Sequence, residues 1–269
     1  MLAIMYFTAL MVTLLLAGLI GFICFRGVPF LTLELLTSAS SYLQGTIGIL
    51  PNLLNTLYII GIALGFALPI GVGAAVYLTE YAEHPRIISV IELAAETLAG
   101  IPSIIFGLVG MLLFTQLMGL KQGVLAGGLT LVMLILPILL RTIQESLREV
   151  PNAYREGALA LGAGKWNTIR TVVLPSAKEG IICGCVLAIG RVVGESAALL
   201  FTAGFGLKLN DFFTALESSS ATLTVALYIY ASEQGEIDVA FAIAVVLLVV
   251  TLALNIAVML LGKLSGRKA

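Results

Sequence analysis

The sequence is short of charge. Its 269 residues include 14 basic and 15 acidic side chains, 11% of the chain, where a typical soluble domain carries about 25%. Hydrophobic residues make up 60% of the positions, and the mean hydropathy is +1.11. A soluble globule of this size cannot bury so much apolar surface in one core, so we predict that most of the chain lies in a bilayer.

Histidine, cysteine and basic tracts are also scarce. A net charge of −1 without a basic tract excludes nucleic-acid binding of the electrostatic kind. The chain has one histidine and three cysteines. Cys24 lies far from Cys183 and Cys185, which point different ways on a helix because they are two positions apart. We therefore expect no disulfide framework and no metal site in this chain.

Long apolar runs define the fold class. A helix that spans a bilayer needs about 20 mostly apolar residues, and the first run is interpreted as a retained helix because it lacks the basic start and cleavage site of a signal peptide. The sequence therefore predicts an all-α polytopic membrane protein with six transmembrane helices. The six runs are Leu2–Phe25, Leu53–Tyr77, Ile88–Met118, Val124–Ile143, Gly180–Ala203 and Val239–Leu261.

The third run is interrupted by Gly100-Ile101-Pro102-Ser103. Proline after glycine favours two helical segments joined at a break. A reversal at the break would give seven crossings, but neither half reaches the spanning length. The break is either a kink for packing or the start of a half-helix whose free amides suit an anion. Gly100, Pro102 and Ser103 are the candidate residues of this break.

Basic residues in the connecting loops set the orientation, since cytoplasmic loops are rich in Lys and Arg. Placing both termini in the cytoplasm leaves only Arg26, Lys121 and Lys208 outside, with Arg191 within the membrane. We predict a first helix with its outer loop (1–44) and a core of five helices (45–269). The basic residues then assigned to the inner face are Arg86, Arg141, Arg148, Arg155, Lys165, Arg170, Lys178, Lys263, Arg267 and Lys268.

The largest polar segment, about 141–179, lies between the fourth and fifth runs. Pro151 suits the start of a short helix, and Gly162 and Gly164 suit its end. Tyr154 and Leu161 share one face of that helix with Ala158. Periodicity alone favours an ordinary interfacial helix that closes the loop, with a docking helix as the alternative.

The spacing within this segment favours docking. Glu156-Gly157-Ala158 is followed after three residues by Gly162 and after nine more by Val172-x-Leu174-Pro175. This arrangement resembles the EAA loop of type I ABC importer permeases, with Gly157 in place of the usual Ala and Val172 in place of Ile. The resemblance implies a coupling helix that seats on a cytoplasmic ATPase. The implied coupling residues are Tyr154, Arg155, Glu156, Gly157, Ala158, Leu161, Gly162, Leu174 and Pro175.

The chain itself lacks a nucleotide-binding loop. Gly164-Lys165-Trp166 is similar to the end of a phosphate-binding loop, but Leu159 stands where Gly is required and Trp166 where Ser or Thr is required. We therefore expect that ATP is used by the partner subunit, and that this chain needs no cofactor.

Two charged residues fall inside the fifth run. A charge at that depth costs about 2.5–3.5 kcal/mol, and Arg191 and Glu195 are spaced to share one helical face. They form either a self-contained ion pair or an anion path in which the guanidinium meets the substrate and the carboxylate competes for it. A forked guanidinium matches oxyanion geometry. The candidate pathway residues are Arg191, Glu195 and Ser196.

A narrower resemblance rests on several segments. Arg191-Val192-Val193-Gly194-Glu195-Ser196, Leu199–Ala203, Gly100–Leu108, Val150–Gly157 and Ala231-Ser232-Glu233 resemble the PstA-type permeases of phosphate ABC importers, from about residue 45 onward. The resemblance implies a non-catalytic subunit in the inner membrane of a prokaryote. Its implied partners are a PstC-like sister permease, two PstB-like ATPase subunits and a PstS-like phosphate-binding protein.

Other functions stay open at this point. The alternatives are a permease for another oxyanion such as molybdate or sulfate, including a PstC-type subunit, and a secondary carrier or channel that needs no ATPase. Glu92 and Glu96 near an anion path require partners, and we interpret them as structural or gating groups. His84 is expected in a solvated turn, and Trp166 is expected to anchor the loop at the membrane interface or on the ATPase.

Overall fold

The computed structural model describes residues 1–41 and 46–266 of the chain. Helices dominate, and a π-helical turn directly follows four of them, at Tyr77–Tyr81, Met111–Leu117, Ile169–Val173 and Ile229–Glu233. In chain order the elements are α1 (Leu2–Gly27), α2 (Leu33–Thr37), β1 (Ala39–Ser41), β2 (Thr46–Ile49), α3 (Leu50–Val76), α4 (Pro85–Ala99), α5 (Ser103–Gly110), α6 (Val124–Glu149), α7 (Asn152–Ala160), α8 (Lys165–Thr168), α9 (Leu174–Ser176), α10 (Lys178–Val193), α11 (Ala197–Thr202), α12 (Phe212–Leu216), α13 (Leu223–Tyr228) and α14 (Ile237–Gly266).

The described helices form up to six membrane spans. Within residues 1–41 and 46–266, α1, α3, α6 and α14 are each long and apolar enough to cross a bilayer. Two bent pairs complete the set, because α4 meets α5 at 101° and α8–α9 meets α10 at 65°. The predicted six-span, all-helical class is confirmed, with the short antiparallel hairpin β1–β2 as an addition.

The predicted break in the third run is confirmed, since α4 ends at Ala99 and α5 begins at Ser103. Its 101° bend is near a right angle rather than a reversal. The prediction of one continuous helix for the fifth run was wrong. Helix α10 ends at Val193 and α11 begins at Ala197, which puts Glu195 in the gap between two helices instead of on α10. Gly194 is the C-cap of α10 and Ser196 is the N-cap of α11. Glycine is favoured at the end of a helix and serine directly before the start of one.

Helix α6 forms the centre of the bundle. Its fully buried side chains Leu131, Ile135, Leu139, Ile143 and Leu147 recur every fourth residue, so they line one face. This face packs against α3 and α10. The core therefore joins the helices that flank the polar segment 141–179 to the second span.

Helix α1 is exposed along nearly all its length and meets α14 near one end. A Cβ on Gly27 would collide with the backbone of Phe241, so the backbones of α1 and α14 are in close contact there. Phe22 packs edge-on against Phe241, with ring centroids 5.7 Å apart. Arg26 forms an ion pair with Asp238 at 3.5 Å. This contact fixes the end of α1 opposite to α7.

At that same end, the segment between α11 and α13 folds back on the start of α3. The buried amides of Asn52 and Asn55 donate to the carbonyl of Ala221, at 3.0 Å and 3.2 Å. The Leu223 amide donates to the hydroxyl of Thr56 at 2.9 Å. Three hydrogen bonds thus hold the connection over the first turns of α3.

Helix α12 in this connection has a side-chain cap. The Asp211 carboxylate accepts hydrogen bonds from the hydroxyl and the amide of Thr214, at 2.6 Å and 3.3 Å. These bonds favour the ionised form and lower the pKa of Asp211 below 3.8.

Candidate functional site

The polar segment contains the short helix that its sequence predicts. Val150 is extended, as is usual before proline, and α7 starts directly after Pro151. Gly162 takes a φ of +86°, the left-handed conformation that suits glycine. Its amide donates to the carbonyl of Leu159 at 2.9 Å. The predicted helix and its stop at Gly162 are confirmed.

Helix α7 turns an apolar edge outward. Tyr154 is 55% exposed and Leu161 is 91% exposed, while Ala158 between them is half-buried. Large apolar side chains that stand out from a polar loop mark an interaction surface. Glu156, Gly157, Gly162 and Pro175 are exposed as well, and Leu174 is half-buried.

Arg155 is placed differently from the other predicted coupling residues. Its side chain is 17% exposed and turns inward, away from that outward edge, to the Glu80 carboxylate at 2.7 Å. Trp166 on α8 is 60% exposed, which leaves its predicted anchoring role open. His84 is exposed at the start of α4, as predicted.

Between α4 and α6 lies a charged groove of about 370 Å³. Arg148 pairs with Glu92 at 2.5 Å, and Arg141 pairs with Glu96 at 3.4 Å. The amide of Gln144 also donates to Glu92, at 2.7 Å. Both carboxylates therefore have the partners that the sequence analysis required of them.

The predicted break and the predicted intramembrane arginine meet at one cavity. The cavity, of about 150 Å³, lies where α4, α5 and α6 converge beside α10. Among the described residues that line it, Arg191 carries the charge. Apart from Arg191 its walls are apolar: Leu98, Ala99, Ile101, Phe106, Leu134 and Ile138.

Glu195 has two contacts in the second break. One carboxylate oxygen accepts from the amide of Ala198 at 3.1 Å, which caps α11. The other lies 4.0 Å from the Arg191 guanidinium. Glu195 is 5% exposed and Arg191 47% exposed. The carboxylate is thus fixed by the fold, whereas the guanidinium keeps donors for another group. Ser196 is half-buried beside them.

The two breaks are held together by a close approach of helices. A Cβ on Gly107 would lie 2.7 Å from the Cα of Ala198, a distance that only glycine permits. Helix α5 therefore packs directly on α11, and the position of Glu195 depends on that of the first break. Sequence reasoning missed the second break, although Gly194 and Ser196 were a signal for it.

The exposure of Arg191 requires a polar neighbour. Leu98, which lines the same cavity, is an exposed apolar side chain. A half-exposed guanidinium at this depth is costly against lipid. This face therefore adjoins protein or water rather than lipid.

Comparisons with known proteins agree with this arrangement. Residues 67–269 match the family described as binding-protein-dependent transport system inner membrane component. The chain is 36% identical to the probable ABC transporter permease protein YqgI of Bacillus subtilis, over 97% of this chain and 93% of that protein. It is 35% identical to the phosphate transport system permease protein PstA 1 of Mycobacterium tuberculosis, over 82% of this chain and 72% of that protein.

Solved structures share the fold at low identity. The inward-facing MetNI methionine ABC transporter matches with a TM-score of 0.63 and 18% identity, over 82% of this chain and 95% of that chain. A bacterial alginate ABC transporter in complex with its periplasmic protein matches with a TM-score of 0.68 and 14% identity, over 95% and 91%. The fold is that of a type I ABC importer permease, and this chain belongs to the family of binding-protein-dependent transport system inner membrane components.

Proposed function

We propose that this chain is the non-catalytic permease subunit of an ATP-driven importer of inorganic phosphate. Relatives named as PstA phosphate permeases support the substrate, including one from Haemophilus influenzae that is 35% identical over 77% of this chain. The cavity beside Arg191 supports an oxyanion, because its donor is a planar fork in apolar walls.

The observation that carries the importer assignment is α7. It combines the EAA-type spacing with an outward apolar edge at Tyr154 and Leu161. In this proposal α7 seats on a cytoplasmic ATPase that uses the ATP, so the chain itself needs no cofactor. Rigid-body movement of that ATPase rocks the spans and opens the path alternately to the two sides.

The complex contains further subunits in this proposal. A PstC-like sister permease covers the face on which Arg191 is half exposed, two PstB-like ATPases bind at the α7 end, and a PstS-like protein delivers phosphate from outside. Both termini lie in the cytoplasm, as the distribution of basic residues favours. Of those residues, Arg267 and Lys268 lie outside the described part of the chain.

Transport needs binding that is reversible. Phosphate meets the free donors of Arg191, and Glu195, held by its cap on α11, competes for the same guanidinium from 4.0 Å. A competing carboxylate keeps the anion from being trapped. Ser196 adds a hydroxyl at the same level of the path.

The test is phosphate uptake by the complete complex in liposomes. Arg191→Gln is expected to lower uptake about 10- to 100-fold, since hydrogen bonds to charged groups contribute ~1.5–3 kcal/mol. Arg26→Gln is the matched control, because Arg26 is also 47% exposed and ion-paired but lies at the end of α1. Uptake by Arg191→Gln equal to that of the control would contradict the pathway.

The same preparation separates the other functions. Stimulation of ATP hydrolysis by molybdate or sulfate, but not phosphate, would assign a different oxyanion. Transport by this chain alone, without an ATPase, would assign a secondary carrier or a channel.

A further inference from the structure

The guanidinium of Arg155 is fully hydrogen-bonded inside the protein. Its Nε and Nη2 groups donate to the Glu80 carboxylate, at 3.0 Å and 2.7 Å. Nη2 also donates to the carbonyl of Leu147 at 2.8 Å. Nη1 donates to the carbonyl of Val150 at 2.6 Å and to the Asn152 side chain at 3.3 Å. All five N–H donors of this arginine have acceptors.

These acceptors belong to three different segments. Glu80 lies in the π-helical turn that continues α3, Leu147 lies in the last turns of α6, and Asn152 begins α7. The carbonyls of Leu147 and Val150 are helix-end groups without partners in α6 itself, and a cation at a helix C-terminus is favourable. One side chain therefore joins the second span, the fourth span and α7.

A second contact reaches the same turn from the other limb of the loop. The ammonium of Lys165, on α8, lies over the ring of Tyr81, 4.8 Å from its centroid. Tyr81 directly follows Glu80, so both limbs of the loop hold one turn of the second span. The Arg155–Glu80 pair is also the least exposed ion pair in the described residues, with its side chains 17% and 9% exposed.

We propose that Arg155 is a positioning residue that transmits the movement of α7 to the second and fourth spans, rather than a contact to the ATPase. The inference rests on the proposed function, because that function supplies the force on α7. With the arginine in place, α7 cannot tilt without moving Glu80 and the end of α6. Without the arginine, α7 is attached only through its chain ends and the Lys165 contact. Part of the movement of α7 then does not reach the second and fourth spans.

The experiment compares variants in the complete complex. Arg155→Gln and Glu80→Gln are expected to lower phosphate uptake per ATP hydrolysed about tenfold, while the ATPase still co-purifies. Arg155→Lys keeps the charge but has three donors on one nitrogen instead of a five-donor fork. Its phosphate uptake per ATP hydrolysed is therefore expected to lie between that of Arg155→Gln and that of the wild type. The control is Arg26→Gln, which breaks the more exposed pair with Asp238 at the opposite end of the molecule and leaves the ratio unchanged.

A distance measurement tests the joint without transport. After replacement of the native cysteines, spin labels on Gly73 in α3 and Ala160 in α7 report their separation; a side chain at Gly73 meets no atom within 4 Å. We expect a narrow distance distribution in the wild type and a broad one in Arg155→Gln. If Arg155→Gln changes neither the label distance nor the phosphate uptake per ATP hydrolysed, the proposal is overturned. Loss of the ATPase from the purified complex with an unchanged label distance would also overturn it, because Arg155 would then act in docking.

Failure of the proposed function has a different signature. A wild-type complex that takes up no phosphate defeats that function, but the label distances still decide whether Arg155 joins α7 to the spans.

Discussion

Gly107 allows the sharpest test of the packing around the two breaks. Replacing it with alanine puts a Cβ 2.7 Å from the Cα of Ala198 and 3.0 Å from its carbonyl oxygen. Both neighbours are backbone atoms and cannot rotate away. Carbon atoms pack at about 3.5–4.0 Å, so α5 and α11 must separate by about 1 Å.

The expected loss of stability in Gly107→Ala follows from the free-energy cost of overpacking. Extra methyl groups in a packed core cost about 1–3 kcal/mol, which corresponds to roughly 2–6 °C in Tm at about 2 °C per kcal/mol for a chain of this size. Gly→Ala in a helix also gains up to about 1 kcal/mol of helix propensity. The control is Gly73→Ala, which has that gain but no atom within 4 Å of its new Cβ.

The assay is thermal unfolding of the purified complex in detergent, followed by ATP-driven phosphate uptake. Gly107→Ala is expected to unfold at lower temperature than Gly73→Ala and to lose uptake, since displacement of α11 moves Glu195 relative to Arg191. Equal Tm values for the two variants would refute the close approach of α5 and α11.

Three further predictions concern single groups. Glu195→Gln keeps a carbonyl to accept from the Ala198 amide, so its Tm stays near wild type, whereas Glu195→Ala loses a cap of about 1 kcal/mol; a lower Tm for Gln than for Ala would exclude the capping role. Because hydrogen bonds lower the pKa of Asp211 below 3.8, its cap on α12 is complete above pH 3.8 and is lost as the pH falls through the lowered value. The protection of the Thr214 amide against hydrogen exchange, measured relative to its intrinsic rate at each pH, should fall over that range and stay constant above it. Gly162→Ala forces a left-handed residue with a Cβ, at a cost of about 1–2 kcal/mol, and limited proteolysis should cut after α7 faster than in the wild type.

The sequence was most informative where one local pattern decides the structure. Apolar runs predicted the spans, and Pro102 predicted the first break within the residues where it lies. Pro151 and Gly162 bounded α7 because proline and glycine act on their own backbone.

Contacts between distant residues could not be predicted in this way. Glu80 and Arg155 are 75 positions apart, and no repeat or spacing connects them. The EAA-type spacing grouped Arg155 with its exposed neighbours, although the side chain turns the other way. The hydropathy pattern did not predict the second break, because the sequence is apolar on both sides of Gly194 and Ser196.

The paired breaks also affect the cell's ion balance. Each new helix begins with amides that have no partner within it, and hydrocarbon offers none, so irregular backbone at this depth needs protein or water around it. Ile101 and Glu195 lie in the two breaks, where water molecules can hydrogen-bond to such amides. A hydrated level open to both sides at once would leak protons and salts and discharge the membrane potential. The bundle must therefore close one side before the other opens, even in cycles that carry no solute.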